Sequence, residues 1–187
     1  MATLDEYVNQ SQEILDQSSD EVKTLLSRIK AENLYPPFLQ KITETLQTLL
    51  DNGSPFYCTC GERTFDEQHA IYLLGRRGIE GEHIKTTVDA GQSAHNYALA
   101  CDFAYDLDPD KPGLQPSWDF KYLKLLADQA LEDGLDPGLF WKGFVDGPHV
   151  QLGIRKLGIS PRKQLLSAYK KGGKLAVFQY LDGQNWG

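Results

Sequence analysis

The chain has 187 residues, 41% of them hydrophobic and 24% charged, the proportions of a globular protein long enough for one domain with a real core. Its 19 basic and 26 acidic side chains give a formal net charge of −7, and no basic patch is interleaved with aromatics, so nucleic acid is set aside as a partner. No stretch approaches the roughly 18 apolar residues of a membrane helix, which predicts a chain without a transmembrane segment.

In chain order, residues 3–32 carry a polar, amphipathic helical pattern broken near Ser18-Ser19-Asp20. Pro36-Pro37 opens a second pattern in which Phe38, Ile42, Leu46 and Leu49-Leu50 form one buried helical stripe, ended by Gly53. Residues 55–60 are predicted as a strand. Thr64-Phe65-Asp66-Glu67 matches a capping box and opens a helix through Leu74, with His69 on its solvated face. Residues 75–98 form a long loop, of the kind that walls a cleft. A strand is expected over 99–105, and a helix over 118–131 with Ser117 as its cap and Gly134 just past its end. Ser160-Pro161 begins a last helix, interrupted at Lys170-Lys171-Gly172-Gly173, and residues 175–181 add a short strand. Short strands among separate helices make an α+β fold, with helices packed on a small, mainly antiparallel sheet.

The chemistry concentrates in two segments, Ser93-Ala94-His95 through Asp102 and Asp146-Gly147-Pro148-His149-Val150-Gln151. Together they hold two of the four histidines, one aspartate between them, and another three residues before the second histidine. These are the parts of an open zinc site: three N or O ligands, a water in the fourth position, and a carboxylate to take its proton. Hydrogen-bonded His–Asp pairs without a metal are the alternative reading of the same residues. His95 and Asp102 are an odd seven apart, so one straight strand would point them to opposite faces. The chain must bend between them, and Asn96, tolerant of left-handed geometry, is the expected turn residue. Alternation then places Leu99, Cys101, Phe103 and Tyr105 on an apolar face, with Asp102 opposite among small alanines. Gly147-Pro148 makes a stiff turn that folds the Asp146 carboxylate back toward whatever His149 binds, and Gln151 shares the His149 face. Trp141, near this turn, is expected either to pack in the core or to form an aromatic wall of the site.

The cysteines, Cys58, Cys60 and Cys101, are an odd number without framework spacing, as suits synthesis in a reducing compartment. Cys58 and Cys60 could be read as a metal-binding C-x-C or a redox pair, but in the apolar run Phe56-Tyr57-Cys58 they are expected to fill a strand face as small hydrophobes, and Cys101 to lie in the core. The N-terminus, Met1-Ala2-Thr3-Leu4-Asp5-Glu6, shows no secretory signal pattern.

At these motifs the chain resembles the M15 family of zinc peptidases, nearest the branch of phage endolysins that cut L-alanyl-D-glutamate bonds, with D-Ala-D-Ala carboxypeptidases as relatives. The family pattern S-x-H-x-x-G-x-A-x-D is met by Ser93, His95, Ala98, Ala100 and Asp102, and D-x-P-H by Asp146, Pro148 and His149. Residues 61–68 resemble G-Y-R-S-x-x-E-Q, and Leu73-Leu74-Gly75-Arg76 resembles L-Y-x-x-G-R. Ala98 stands where the family has glycine, and Glu62 where it has an aromatic. The similarity runs from about Arg28 onward, which implies a single zinc peptidase domain over 1–187 with a helical N-terminal extension at 1–27, in a hedgehog/DD-peptidase-like fold. It implies His95, Asp102 and His149 as ligands to Zn2+, Asp146 as general base, and Arg63 on the scissile carbonyl oxygen. Ser93 and Gln68 join Trp141 as candidates for positioning substrate. The implied substrates are peptidoglycan stem peptides. The rivals are a D-Ala-D-Ala carboxypeptidase and a non-catalytic cell-wall or peptide binding module. Without a signal, the enzyme is expected to be made in the cytoplasm and to act on the wall after release, or on wall peptides inside the cell.

Overall fold

The computed structural model describes residues 2–184. Two short helices come first, α1 (Leu4–Gln17) and α2 (Asp20–Leu26), separated at Ser18-Ser19 as the polar break predicts. Thr3 closes a capping box with Glu6 on α1, and the Ser19 hydroxyl accepts from the Val22 amide at the start of α2. Helix α3 (Pro36–Asp51) then runs through the centre. Its stripe of Phe38, Leu39, Ile42, Leu46 and Leu49 is buried, each side chain contributing roughly 1.5–3 kcal/mol of transfer free energy. Tyr7, Val22, Leu25 and Leu26 join the same core, so the first two helices are packed into it rather than appended.

All strand pairings are antiparallel. Strand β1 (Phe56–Cys60) pairs with β2 (Ala100–Asp106), which pairs with β5 (His149–Gln151), which pairs with the two-residue β4 (Asp136–Pro137). The short β3 (Pro116–Ser117) also pairs with β2. Helix α4 (Phe65–Leu73) carries the expected capping box between Thr64 and Glu67. Helix α5 (Phe120–Glu132) begins two residues later than predicted: Asp119 caps it, because Ser117 is engaged in β3. The α+β expectation therefore holds, with helices on a small antiparallel sheet. Among the described residues no helix is long and apolar enough to cross a membrane.

Two expectations are corrected. Residues 175–181 are not a strand: α6 (Leu166–Asp182) continues through them, kinked at Gly172 and Gly173, and buries Val177, Phe178 and Leu181 at helical spacing. The bend between His95 and Asp102 is not at Asn96. Residues Ala94–Tyr97 form a 3-10 turn that ends on Ala98 with φ 58° and ψ 35°, the left-handed conformation where the resembled family has glycine. Ala98 is fully buried, so its methyl gains packing that offsets part of the roughly 1–2 kcal/mol cost of left-handed geometry.

The two ends of the described chain meet. The Tyr7 and Tyr35 hydroxyls both donate to the Asp182 carboxylate, and the two rings pack against Phe178. The pair clasps α1 and the start of α3 to the end of α6.

Candidate active site

The bend at Ala98 and the turn at Pro148 bring the two segments together. In the β2–β5 register, Asp102 lies opposite His149, so their side chains leave the same face of the sheet. His95 reaches them from the 3-10 turn. His95 Nε2 is 3.1 Å from Asp102 Oδ1 and 3.1 Å from His149 Nδ1, and His149 Nδ1 is 3.2 Å from Asp102 Oδ1. Ligand atoms about 2.0–2.1 Å from a tetrahedral ion stand about 3.3 Å from one another, so this triangle has the spacing of one face of a zinc site.

The orientation of each imidazole is fixed from behind. His95 Nδ1 lies 2.7 Å from the Gly61 carbonyl, which accepts its proton and leaves Nε2 for the site. His149 is turned the other way, with Nε2 3.1 Å from Gln151 Oε1 and Nδ1 toward Asp102. Gln151 in turn donates to Asp136 Oδ2 at 3.1 Å, and Asp136 Oδ1 accepts from Trp141 Nε1 at 2.7 Å. Replacing Gln151 by leucine should therefore weaken metal affinity roughly 10–100-fold, measured by competition with a chelator. Unchanged affinity would show that the amide does not orient His149.

Charge in the triangle follows burial and proximity. Burial opposes ionisation of Asp102, but His95 and His149 outweigh it and hold the carboxyl well below the usual range. Burial likewise opposes charge on His95 and His149, and the Asp102 carboxylate prevails, holding both imidazoles above their ordinary value.

Asp146 sits half-buried at the rim. Burial pushes its carboxyl above the usual range, His149 pulls it down, and the Asp102 charge pushes it up again. The expected turn is present, since the His149 amide donates to the Asp146 carbonyl at 3.2 Å. Gly138 makes room for it: a Cβ there would lie 2.3 Å from the Asp146 carbonyl oxygen and 3.1 Å from the His149 Cβ. Gly138→Ala should displace the turn at a cost of roughly 1–3 kcal/mol, seen as a lower urea midpoint together with reduced activity. Wild-type values of both would show that the turn tolerates the methyl.

Arg63 is committed in three directions. Its Nη2 pairs with Asp102 Oδ2 at 2.9 Å, its Nη1 donates to Gln68 Oε1 at 2.8 Å, and its Nε points at Cys60 Sγ at 3.3 Å. The backbone fixes its place: the Arg63 amide donates to the His95 carbonyl, and the Asn96 side-chain amide donates to the Arg63 and Thr64 carbonyls. Asn96 is thus a staple between the segments. Gln68, expected to position substrate, is fully buried and does not face the cleft; its amide spans Arg63 and the Val88 carbonyl, so it can act on substrate only through them. Ser93 caps the His95 turn, its hydroxyl accepting from the His95 amide at 3.3 Å. Glu62 pairs with Lys174 on α6.

A cavity of about 550 Å³ opens over these groups. His95, Asp102, Asp146 and His149 line it, as do Arg63 and Ser93. Trp141 forms a wall with its ring 5.0 Å from that of His149, and the Arg155 guanidinium lies 5.0 Å over the Trp141 ring. Residues Lys85, Thr86, Thr87 and Val88 of the long loop close another side. Arg76 holds that loop through the Thr86 carbonyl, and His69 holds it through Asp89.

Sequence reasoning missed Arg155 and Asp136, and it set Cys60 aside as a strand-face hydrophobe. Cys58 is fully buried as expected, but Cys60 is not a second core residue: it lines the cavity, with Sγ, one His95 ring nitrogen and one Asp102 oxygen all within 4.8 Å of one another. A bulge between Cys58 and Cys60 sets Cys58 opposite Phe103 but Cys60 opposite Asp102, which turns the second thiol to the other face.

No protein-family model matches the chain. It is 30% identical over 129 residues to the peptidoglycan L-alanyl-D-glutamate endopeptidase CwlK of Bacillus subtilis, an alignment covering 64% of this chain and 74% of that protein. The chain belongs to the M15 peptidase family. Among solved structures, the L-Ala D-Glu endopeptidase ChiX of Serratia marcescens is 22% identical, covering 82% of this chain and 93% of that one with a TM-score of 0.46. His95, Asp102, His149 and Asp146 all line one cavity, where two imidazoles and a carboxylate lie within hydrogen-bonding distance of one another.

Proposed function

We propose that this chain is a zinc-dependent endopeptidase that hydrolyses peptidoglycan stem peptides at the L-alanyl-D-glutamate bond. The observation that carries the reading is the triangle of His95 Nε2, Asp102 Oδ1 and His149 Nδ1, with sides of 3.1–3.2 Å, beside the half-buried Asp146 in an open cavity. CwlK, by its name, acts on the same bond, which supports the choice of substrate. Zn2+ held by His95, Asp102 and His149 would supply Lewis acidity, polarising a carbonyl and making water nucleophilic at neutral pH.

The chain's own groups do the rest. Asp146 takes the proton of the attacking water and returns it to the leaving amine, a task suited to a carboxylate whose affinity for protons burial has raised. Arg63 fixes Asp102 through Nη2, and the N–H groups not taken by Asp102, Gln68 and Cys60 are the donors for the oxygen on which negative charge grows. Trp141 supplies an apolar wall, and Ser93 holds the His95 turn at the cavity edge.

The test is digestion of purified peptidoglycan by the protein as isolated, after chelation, and after zinc is restored. Activity lost and regained, with new L-Ala C-termini and D-Glu N-termini, is the expected result. Release of D-Ala alone would replace the proposal with carboxypeptidase activity, and an inert zinc-loaded protein would leave the binding-module reading.

A further inference from the structure

We propose that Cys60 is a fourth protein donor to the ion held by His95, Asp102 and His149, a sulfur that competes with water and substrate for the remaining position. The inference rests on the metal reading above. Three independent placements support it. The bulge in β1 puts Cys60 directly opposite Asp102, so the thiol and the carboxylate share a sheet face. The thiol lines the cavity, whereas Cys58 and Cys101 are fully buried. Its Sγ, one His95 ring nitrogen and one Asp102 oxygen all lie within 4.8 Å of one another.

Arg63 positions both members of the pair, with Nε at 3.3 Å from Cys60 Sγ and Nη2 at 2.9 Å from Asp102 Oδ2. Sulfur is a strong donor to zinc, with a bond of about 2.3 Å. On binding, the thiol S–H bond breaks, its proton goes to solvent, the sulfur–metal bond forms and a water leaves. Four protein donors make a closed site, the arrangement that stores an ion, and three make the open site that works on substrate. With zinc bound, Cys60 would give a four-donor resting form that releases the ion slowly, and His95, Asp102 and His149 would remain to hold it when the sulfur is withdrawn.

Cobalt(II) substitution reads this directly. Visible d–d bands report that the ion is bound, and a near-ultraviolet sulfur-to-cobalt charge-transfer band reports that Cys60 is among its donors. The expected result is both sets of bands in the wild type and only the d–d bands in Cys60→Ser, with zinc stripped faster from the variant by a chelator. Carboxamidomethylation of Cys60 in the metal-free wild type, with cobalt added afterwards, should remove the charge-transfer band as well, which decides the matter if the variant fails to fold. Bound cobalt without a charge-transfer band in the wild type would overturn the proposal and leave the three-ligand site intact. Absence of all cobalt bands would overturn both.

Discussion

Asp146→Asn should lose hydrolysis by roughly 10²–10⁴-fold while keeping its metal, because the amide cannot accept the proton of the attacking water. Zinc content and peptidoglycan turnover, measured on one preparation, check both halves. A second signature separates lost chemistry from lost fold. The Asp146 carboxyl is raised by burial, so the folded state holds that proton more tightly than the unfolded chain does. A carboxylate raised in this way destabilises the folded protein once it ionises: the penalty is absent below the ordinary carboxylate pKa and grows as pH rises through the raised one. At neutral pH the metal-free Asp146→Asn protein should melt no lower than wild type. A variant that still turned over substrate would remove Asp146 from the mechanism.

His149→Ala should fail at an earlier step, losing the ion and the activity with it. Zinc measured after gel filtration should fall to background, and excess zinc should not restore turnover. Full zinc occupancy would sink the ligand assignment. The same geometry sets a pH dependence. Both imidazoles must be neutral to bind metal, and the Asp102 carboxylate holds them protonated above the ordinary imidazole range. Apparent zinc affinity of the wild type should therefore decline as pH falls through those raised values, with the decline beginning above about pH 6.5. A pH-independent affinity across that range would mean that protons and metal do not compete for the triangle.

Much of this was legible because the informative residues are governed by local rules. The stripe of α3, the capping box of α4 and the stiff turn before His149 each follow from spacing and side-chain type. The features that escaped depend on longer-range geometry. Alternation alone puts Cys58 and Cys60 on one face, and only the bulge, set by pairing with β2, separates them. Leu175, Val177 and Leu181 look strand-like next to a Gly-Gly pair, yet α6 resumes there because Phe178 and Leu181 are needed against the core. Asn96 lies inside the 3-10 turn with its side chain on the Arg63 and Thr64 carbonyls, and the left-handed residue is Ala98, where that turn ends. Gln151 could be read as facing with His149, but its link through Asp136 to Trp141 joins residues on β5, β4 and the turn beyond, and no periodicity reports that.

The clasp on Asp182 bears on the order in which the molecule comes into being. Tyr7 and its acceptor are 175 residues apart, so the bond that ties down α1 joins nearly the whole described chain into one loop. Contacts of such separation form late, after the local helices and hairpins have already committed the chain. During synthesis the first helix leaves the ribosome long before this anchor exists, and until α6 is complete it is held by its apolar side chains and by the Ser11 hydroxyl, which donates to the Leu34 carbonyl. A nascent chain halted before residue 182 would hold His95, Asp102, Asp146 and His149, with this last clasp on its first helix still unmade.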